Sequence, residues 1–253
     1  MVAFTYLVSK DLALTLERRL GYKLNEGQKV AIDALEDRFL QEFWAYVPAN
    51  IIKESVSADA LSKLLQYLLS QENLPVVTLD DVYVNPSKVN GFFSVTRLTD
   101  PKTYETKIGS RPGAPSLEEQ ISKLASKYKG KEIALADVGA FEGNTLVDVI
   151  SMLEKASIKI PKVYLGVWGT QAINKVNGAV KQTVALRTYD LFEWIELRDF
   201  FGIDGRKTES GKIIPYWENL EKWASIVPEN VQQVRELCQK YNGLLNDILG
   251  GAK

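Results

Sequence analysis

The sequence predicts an α/β fold: a mostly parallel central sheet flanked by helices, with a helical amino-terminal region and a helical carboxyl-terminal tail. Residues 133–136 and 163–167 are short apolar runs of the kind that form buried parallel strands. Between them, four apolar residues repeat at the spacing of a helix that packs on a sheet: Leu146, Val149, Ile150 and Leu153. Strand, glycine-bearing turn, helix and strand make one βαβ unit, whose crossover is expected to be right-handed.

Periodicity and composition divide the chain into three consecutive regions. Residues 1–72 are predicted to be helical throughout, because apolar residues recur there at helical spacing and Asn25 is suited to cap a helix. Residues 73–215 are predicted to form the α/β core that contains the βαβ unit, and residues 216–253 are predicted to form a helical tail.

Local patterns assign further elements of the core. Ser116 is predicted to cap a helix, with Glu119 at the offset of a capping box. Residues 170–177 are predicted to form a short helix. Four other segments have the composition of strands: residues 74–84, 91–98, 104–108 and 182–187.

Composition excludes several classes of function. The 253 residues carry a net charge of −1, from 31 basic and 32 acidic side chains, so no global field marks a nucleic-acid or membrane-surface binder. The single cysteine, Cys238, excludes an internal disulfide. The chain has no histidine, which excludes Ser–His–Asp and Cys–His catalysis and histidine-ligated zinc. Its chemistry must therefore use carboxylates, Lys, Arg, Tyr, Thr or backbone groups.

The expected location is the cytoplasm. The sequence has no apolar run of about 18 residues and no signal-peptide pattern at its amino terminus. No membrane partner is expected. The oligomeric state is left open, with a homodimer among the options.

The turn at residues 137–145 is the predicted binding site, because ligands of open α/β sheets sit at the carboxyl ends of the strands. Gly139 and Gly143 allow a tight turn and close approach of the backbone to a ligand. Asn144 and Thr145 open the following helix, whose unpaired amides favour a phosphate. Asp137 is suited to ribose hydroxyls or to a hydrated Mg²⁺. The alternative is that Asn144 or Thr145 only caps the helix and the glycines only make the turn.

Two other segments are added to the site by prediction. Residues 109–115 are rich in turn formers and contain Arg111, which is typical either of a surface loop or of a basic lid over a phosphate. Asp80 and Asp81 interrupt another predicted strand, and both are candidate Mg²⁺ ligands together with Asp137.

The central unit resembles the type I phosphoribosyltransferases. Their signature for phosphoribosyl pyrophosphate (PRPP) is four apolar residues, two acidic residues, a short variable stretch, then Thr-Gly-x-Thr and a helix. Residues 133–136, Asp137, Val138 and residues 142–146 align with it without a gap. The resemblance covers residues 131–168 and extends weakly to the family's flexible loop at residues 109–113.

The resemblance implies a function and roles. Gly143, Asn144 and Thr145 would hold the 5-phosphate, and Asp137 would face the ribose hydroxyls. Pyrophosphate bound to Mg²⁺ would be displaced at the anomeric carbon, with Arg111 stabilising the developing charge. The acceptor is unknown. Phe141 and Trp168 are the aromatic candidates for contact with the substrate, although a core tryptophan is the simpler interpretation.

Two residues depart from the family signature. Val138 stands in place of the second acidic residue, and Glu142 stands where the family has Thr. A carboxylate beside a phosphate costs on the order of several kcal/mol unless a cation or a proton intervenes. The chain is thus either an enzyme or a relative that binds the ligand without turnover.

Two classes of protein other than the phosphoribosyltransferases are also compatible with the sequence. Asp137, Gly139 and Gly143 also fit the Asp-x-Gly-x-x-x-Gly motif of S-adenosylmethionine-dependent methyltransferases, although the following strand lacks the terminal acid that binds the ribose of that cofactor. A non-catalytic nucleotide-binding or interaction protein is the third class.

Overall fold

A computed structural model describes residues 4–250. The elements of the first half, in chain order, are β1 (Phe4–Lys10), α1 (Leu12–Arg18), α2 (Glu26–Phe43), β2 (Ile52–Ser57), α3 (Ala58–Ser70), β3 (Val76–Thr78), β4 (Gly91–Phe92), β5 (Val95–Thr99), β6 (Thr106–Ser110) and α4 (Leu117–Tyr128). Those of the second half are β7 (Glu132–Ala140), α5 (Asn144–Lys155), β8 (Lys159–Gly169), α6 (Thr170–Asn177), β9 (Gln182–Tyr189), β10 (Leu191–Glu196), α7 (Leu197–Phe200), β11 (Arg206–Lys207), β12 (Ile213–Ile214), α8 (Leu220–Ala224) and α9 (Val231–Ile248).

The chain forms two compact units, which differ from the three consecutive regions predicted at 1–72, 73–215 and 216–253. The terminal unit joins residues 4–58, 192–206 and 212–250, and the central unit consists of residues 59–191 and 207–211. Helical periodicity identifies a helix but does not say which distant segment covers its apolar face. The amino- and carboxyl-terminal segments share one core, so neither is a separate region.

The central unit is built on a five-stranded parallel sheet with the order β4-β3-β7-β8-β9. On one face of the sheet, residues of α4, α5 and α6 pack against the strand residues Leu135 and Val163. On the other face, Leu65 and Leu69 of α3 pack against Ala136. Strands covered on both faces must be apolar nearly throughout, which explains the apolar runs in the sequence. The predicted fold class, a mostly parallel sheet flanked by helices, is confirmed.

A short antiparallel pair belongs to a separate sheet. β5 pairs with β6 from Val95 opposite Ser110 to Thr99 opposite Thr106, and Lys207 of β11 pairs with Leu98. The predicted strand at 91–98 is in fact divided between β4 and β5.

The terminal unit corrects the prediction that residues 1–72 are helical throughout. β1 and β2 are parallel strands, and β1 lies between β2 and β10. Tyr6 and Val8 of β1 join the buried core with Phe39 and Phe43 of α2. A seven-residue apolar segment has no periodicity long enough to separate a strand from a helix, so neighbouring helical patterns misled the prediction.

Candidate functional site

The strand order of the central sheet defines one crevice. From β3 the chain passes outward to β4 on one side, and from β7 it continues through β8 and β9 on the other side. The strand order therefore reverses between β3 and β7. In open α/β sheets this reversal is where ligands bind, outside the carboxyl ends of the two strands. Asp80, Asp81 and Asp137 belong to these two strand ends.

Asp137 is partly buried and lies within β7, which continues to Ala140. Its Oδ1 accepts a hydrogen bond of 2.8 Å from the amide of Val138. Burial first, and then the charge of Asp80, raise the pKa of Asp137 to about 7, while Arg111 and Arg97 act in the opposite direction. The carboxyl group is therefore poised between its neutral and ionised forms near neutral pH.

Asp80 has a structural task that the sequence did not reveal. It is 2% exposed, and its Oδ1 accepts the amides of Val82 and Val84 at 3.0 and 3.1 Å as well as the amide of Tyr83. These bonds fold the chain into a turn, so the strand predicted over 74–84 ends at Thr78. Asp80 contributes a negative field to the crevice, but one of its oxygens is already committed to the turn.

Arg111 is anchored at the crevice and is not part of a long loop. Gly109 and Ser110 belong to β6, so the loop predicted over 109–115, as a surface loop or a lid, begins only at Arg111. The guanidinium of Arg111 donates to the carbonyl of Leu79 at 3.2 Å and lies 4.0 Å from Oδ1 of Asp81. Its Nε is buried and makes no hydrogen bond within residues 4–250. A fixed cation with an unused donor is suited to an anionic ligand.

The turn that follows β7 is shorter than predicted. Gly139 is a strand residue opposite Val167, so it does not form part of the turn. Gly143 has a φ of 77° at the N-cap of α5, and an added Cβ would lie 3.0 Å from Val176 and 3.2 Å from Ala172. Both its conformation and its surroundings therefore require glycine.

The first turn of α5 has no side-chain cap. The side-chain nitrogen Nδ2 of Asn144 donates to the carboxylate of Glu142 at 2.8 Å, and Nζ of Lys175 donates to the side-chain oxygen Oδ1 of Asn144 at 2.5 Å. The side chain of Asn144 is thus held by its neighbours and does not cap the helix. Thr145 is partly buried and follows directly. The unpaired amides at this terminus remain available to an anion.

The two aromatic candidates differ in exposure. Phe141 is 37% exposed in the turn, whereas Trp168 is 8% exposed and packs in the core with Ala172 and Leu146. The structure therefore places Trp168 in the core, as the simpler interpretation of the sequence had it. Its Nε1 is buried without a hydrogen-bond partner among the described residues.

Sequence reasoning missed Arg97, Lys175 and Gly166. Arg97 acts on Asp137 from β5, and Lys175 reaches Asn144 from α6. At Gly166, an added Cβ would lie 2.7 Å from the carbonyl of Val138 and 3.2 Å from Leu61, so this glycine permits the close packing of β7, β8 and α3. Nothing in the sequence pattern points to these contacts, because each joins residues far apart in the chain.

The predicted metal ligands do not form a compact set. Within residues 4–250, no three His, Cys, Asp or Glu side chains come together in a way that could hold a metal ion. In that same range, no helix is both long enough and apolar enough to cross a membrane.

Comparison with known proteins returned solved structures of phosphoribosyltransferases. Adenine phosphoribosyltransferase from Thermoanaerobacter pseudethanolicus is 12% identical with a TM-score of 0.36, over 51% of this chain and 79% of that one. The corresponding enzyme from Giardia lamblia is 14% identical with a TM-score of 0.36, over 60% and 83%. Orotate phosphoribosyltransferase from Mycobacterium tuberculosis is 9% identical with a TM-score of 0.32, over 52% and 69%. No protein-family model and no curated protein sequence matches the chain.

Proposed function

We propose that the chain binds a phosphorylated ribose, either PRPP or a nucleotide, in the crevice between the carboxyl ends of β3 and β7. The main support is the position of Asp137 at the reversal of strand order, where a carboxyl group with a pKa near 7 faces the fields of Arg111 and Arg97. Asp137 also belongs to residues 133–146, the segment that resembles the PRPP signature.

The neutral form of Asp137 avoids a second unfavourable charge beside the ligand, in addition to that of Glu142. A phosphate near an ionised carboxylate would be repelled, but Asp137 below pH 7 adds no negative charge and can donate a hydrogen bond to a ligand oxygen. The phosphate is assigned to the amides that open α5 at Gly143, Asn144 and Thr145, where Lys175 contacts the side chain of Asn144. Arg111 is the cation that acts on Asp137.

Transfer of the phosphoribosyl group is the active version of this proposal. The bond from the anomeric carbon to pyrophosphate breaks and a bond to the unknown acceptor forms, while Asp137 orients the ribose and Arg111 stabilises the charge on the departing pyrophosphate.

Mg²⁺ remains a prediction in this scheme, and when bound it supplies charge neutralisation at the pyrophosphate. One oxygen of Asp80 binds three amides, so only its other oxygen is left for a metal, and Asp137, Asp80 and Asp81 remain the predicted ligands.

A ligand sensor without turnover is the second candidate. The observation that favours it is Val138, which replaces the second acidic residue of the signature and is 9% exposed. Its side chain belongs to the apolar interior and presents no oxygen to the ribose. An assay of pyrophosphate release separates the candidates, because a sensor binds PRPP with no release in the presence of any acceptor base.

Calorimetric titration with PRPP and Mg²⁺ tests binding. Replacing Asp137 by Ala or Thr145 by Ala should weaken binding roughly tenfold or more, since each removes a hydrogen bond to a charged ligand. Asp148→Asn is the matched control, because Asp148 is an exposed acid on the same helix, and it should leave the affinity within about twofold. Equal affinity in all variants, or binding of S-adenosylmethionine in place of PRPP, would contradict the proposal.

A further inference from the structure

The central unit contains a cavity of about 460 Å³ at the tip of the β5–β6 hairpin. It is lined by the end of β5, the start of β6, the turn between them and the segment 208–210. This volume is within the range of pockets that hold small organic ligands.

The cavity is separate from the crevice that holds Asp137. Val95 and Ser110 are at the crevice end of the hairpin, next to Arg111, whereas Thr99 and Thr106 are at the cavity end. Four residue steps along an extended strand put the two ends of β5 about 13 Å apart.

Thr99 is one of the lining residues, and its side chain has an unused hydrogen-bonding group. Its side chain is 1% exposed, and its Oγ1 has no hydrogen-bond partner among residues 4–250. The neighbouring Thr208 is also buried, but its Oγ1 lies 2.9 Å from Oγ of Ser210. Buried hydroxyl groups almost always find a partner, so the exception at Thr99 indicates a group that a ligand completes.

The charges around the cavity select the class of ligand. Glu209 and Lys107 form an ion pair, so the lining has two further carboxylates, Asp100 and Glu105, and no further cation among the lining residues. The ammonium group of Lys102, in the same turn, acts on Asp100 and offsets part of this negative charge. The amides of Thr103 and Lys102 donate to Oδ1 of Asp100 at 3.0 and 2.7 Å and lower its pKa, so this carboxylate is ionised at neutral pH. An anionic ligand is therefore disfavoured and a cationic ligand is favoured.

We propose that this cavity binds a small organic cation carrying amine groups, with Thr99 Oγ1 accepting a hydrogen bond from the ligand and the carboxylates of Asp100 and Glu105 neutralising its charge. This site is additional to the phosphorylated-ribose site and does not depend on it.

Titration of the full chain with spermidine tests the proposal, with glucose as the neutral comparison. Thr99→Val keeps the shape of the side chain but removes the hydroxyl, so spermidine should bind roughly fivefold more weakly or worse. The same variant should melt at a higher temperature than the wild type without ligand, because the unpaired buried hydroxyl is gone. Thr96→Val, on the same strand but outside the cavity lining, is the control and should change neither quantity.

Glu105→Gln supplies a second test at an exposed position, and it should weaken spermidine binding without altering the melting temperature. Asp137→Ala should bind spermidine like the wild type, which separates this site from the crevice. The proposal is overturned if spermidine shows no saturable binding, if glucose binds equally well, or if Thr99→Val and Glu105→Gln both bind spermidine like the wild type.

Discussion

Asp11 and Asp137 occupy comparable places in the two units, each at or near the carboxyl end of a strand that has a parallel neighbour. Asp11 is 1% exposed, and its oxygens accept hydrogen bonds from the backbone amide of Arg198 at 3.0 Å and from the hydroxyl of Thr15 at 3.2 Å. Nη1 of Arg198 also lies 3.0 Å from Oδ2 of Asp11, as an ion pair. Asp137 accepts one hydrogen bond in the described part of the chain, from the amide of Val138.

The difference separates a structural carboxylate from one that is available to a ligand. Burial raises the pKa of both groups. At Asp11 the protein itself supplies the partners, so the carboxylate joins strand, helix and Arg198 in the terminal unit. At Asp137 the carboxylate accepts one hydrogen bond and could accept several more. Arg111 and Arg97 act on it only through their charge. Incomplete satisfaction in a crevice is thus a better guide to a site than burial alone.

The largest effect is expected from Asp11→Ala. Removal of this carboxylate leaves the guanidinium of Arg198, which is 6% exposed, with fewer partners in the interior. The free energy of unfolding should fall by about 4 kcal/mol, measured by urea denaturation. Asp37→Ala removes an exposed ion pair to Lys10 in the same unit and should cost less than about 1 kcal/mol. If Asp11→Ala and Asp37→Ala lower the free energy of unfolding equally, Asp11 is not a structural carboxylate.

Asp137→Asn should show a smaller effect that depends on pH. The folded chain retains the proton of Asp137 up to about pH 7, whereas the unfolded chain releases it near the ordinary pKa of 3.8. Unfolding therefore releases a proton between these values, and the wild type loses stability as the pH rises through this window. Asn has no proton to release, so the variant should be more stable than the wild type at pH 8 by on the order of 3 kcal/mol, and equal to it below pH 4.

Urea denaturation of both proteins at pH 4, 6 and 8 measures this difference. The full pKa difference corresponds to about 4 kcal/mol, and the stated value is lower because Asp137 is partly exposed to solvent. A difference that does not change with pH would show that Asp137 titrates normally and is not held in a desolvated crevice.

The smallest effect concerns the turn that links β7 to α5. Gly143→Ala should lower the free energy of unfolding by about 2 kcal/mol, because it combines a positive φ with a Cβ 3.0 Å from Val176. Gly113→Ala is the matched control, since Gly113 has a φ of 82° and nothing within 4 Å of an added Cβ, and it should cost about 1 kcal/mol. If the two variants lose equal stability, the close packing of Gly143 against α6 does not contribute to the free energy of unfolding.

The elements that the sequence predicted well depend on neighbouring residues. The helix at 170–177 has the predicted bounds, and Ser116 and Glu119 form the predicted capping box. The apolar stripe of α5 is buried as expected. Caps and stripes involve residues within one or two turns of each other, so the local sequence contains the information.

The errors arose where a distant partner decides the outcome. The strand predicted over 74–84 stops because Asp80 binds the amides that follow it. The helical tail predicted over 216–253 is divided into α8 and α9, with Ser225 at a φ of 49° ending the first. The guanidinium of Arg111 donates to the carbonyl of Leu79, a contact that the local sequence did not indicate.

The sequence by itself determined the βαβ unit, the parallel α/β class, the glycine at the start of α5 and the absence of any histidine chemistry. Only the tertiary structure decided that Asp137 is poised near neutral pH, that Asp80 is a structural acid and that Thr99 has an unsatisfied hydroxyl. The physical reason is that burial and electrostatic field are sums over every neighbour in space. The neighbours of Asp137 include Asp80 and Arg111, which only the folding of the sheet brings to the same crevice.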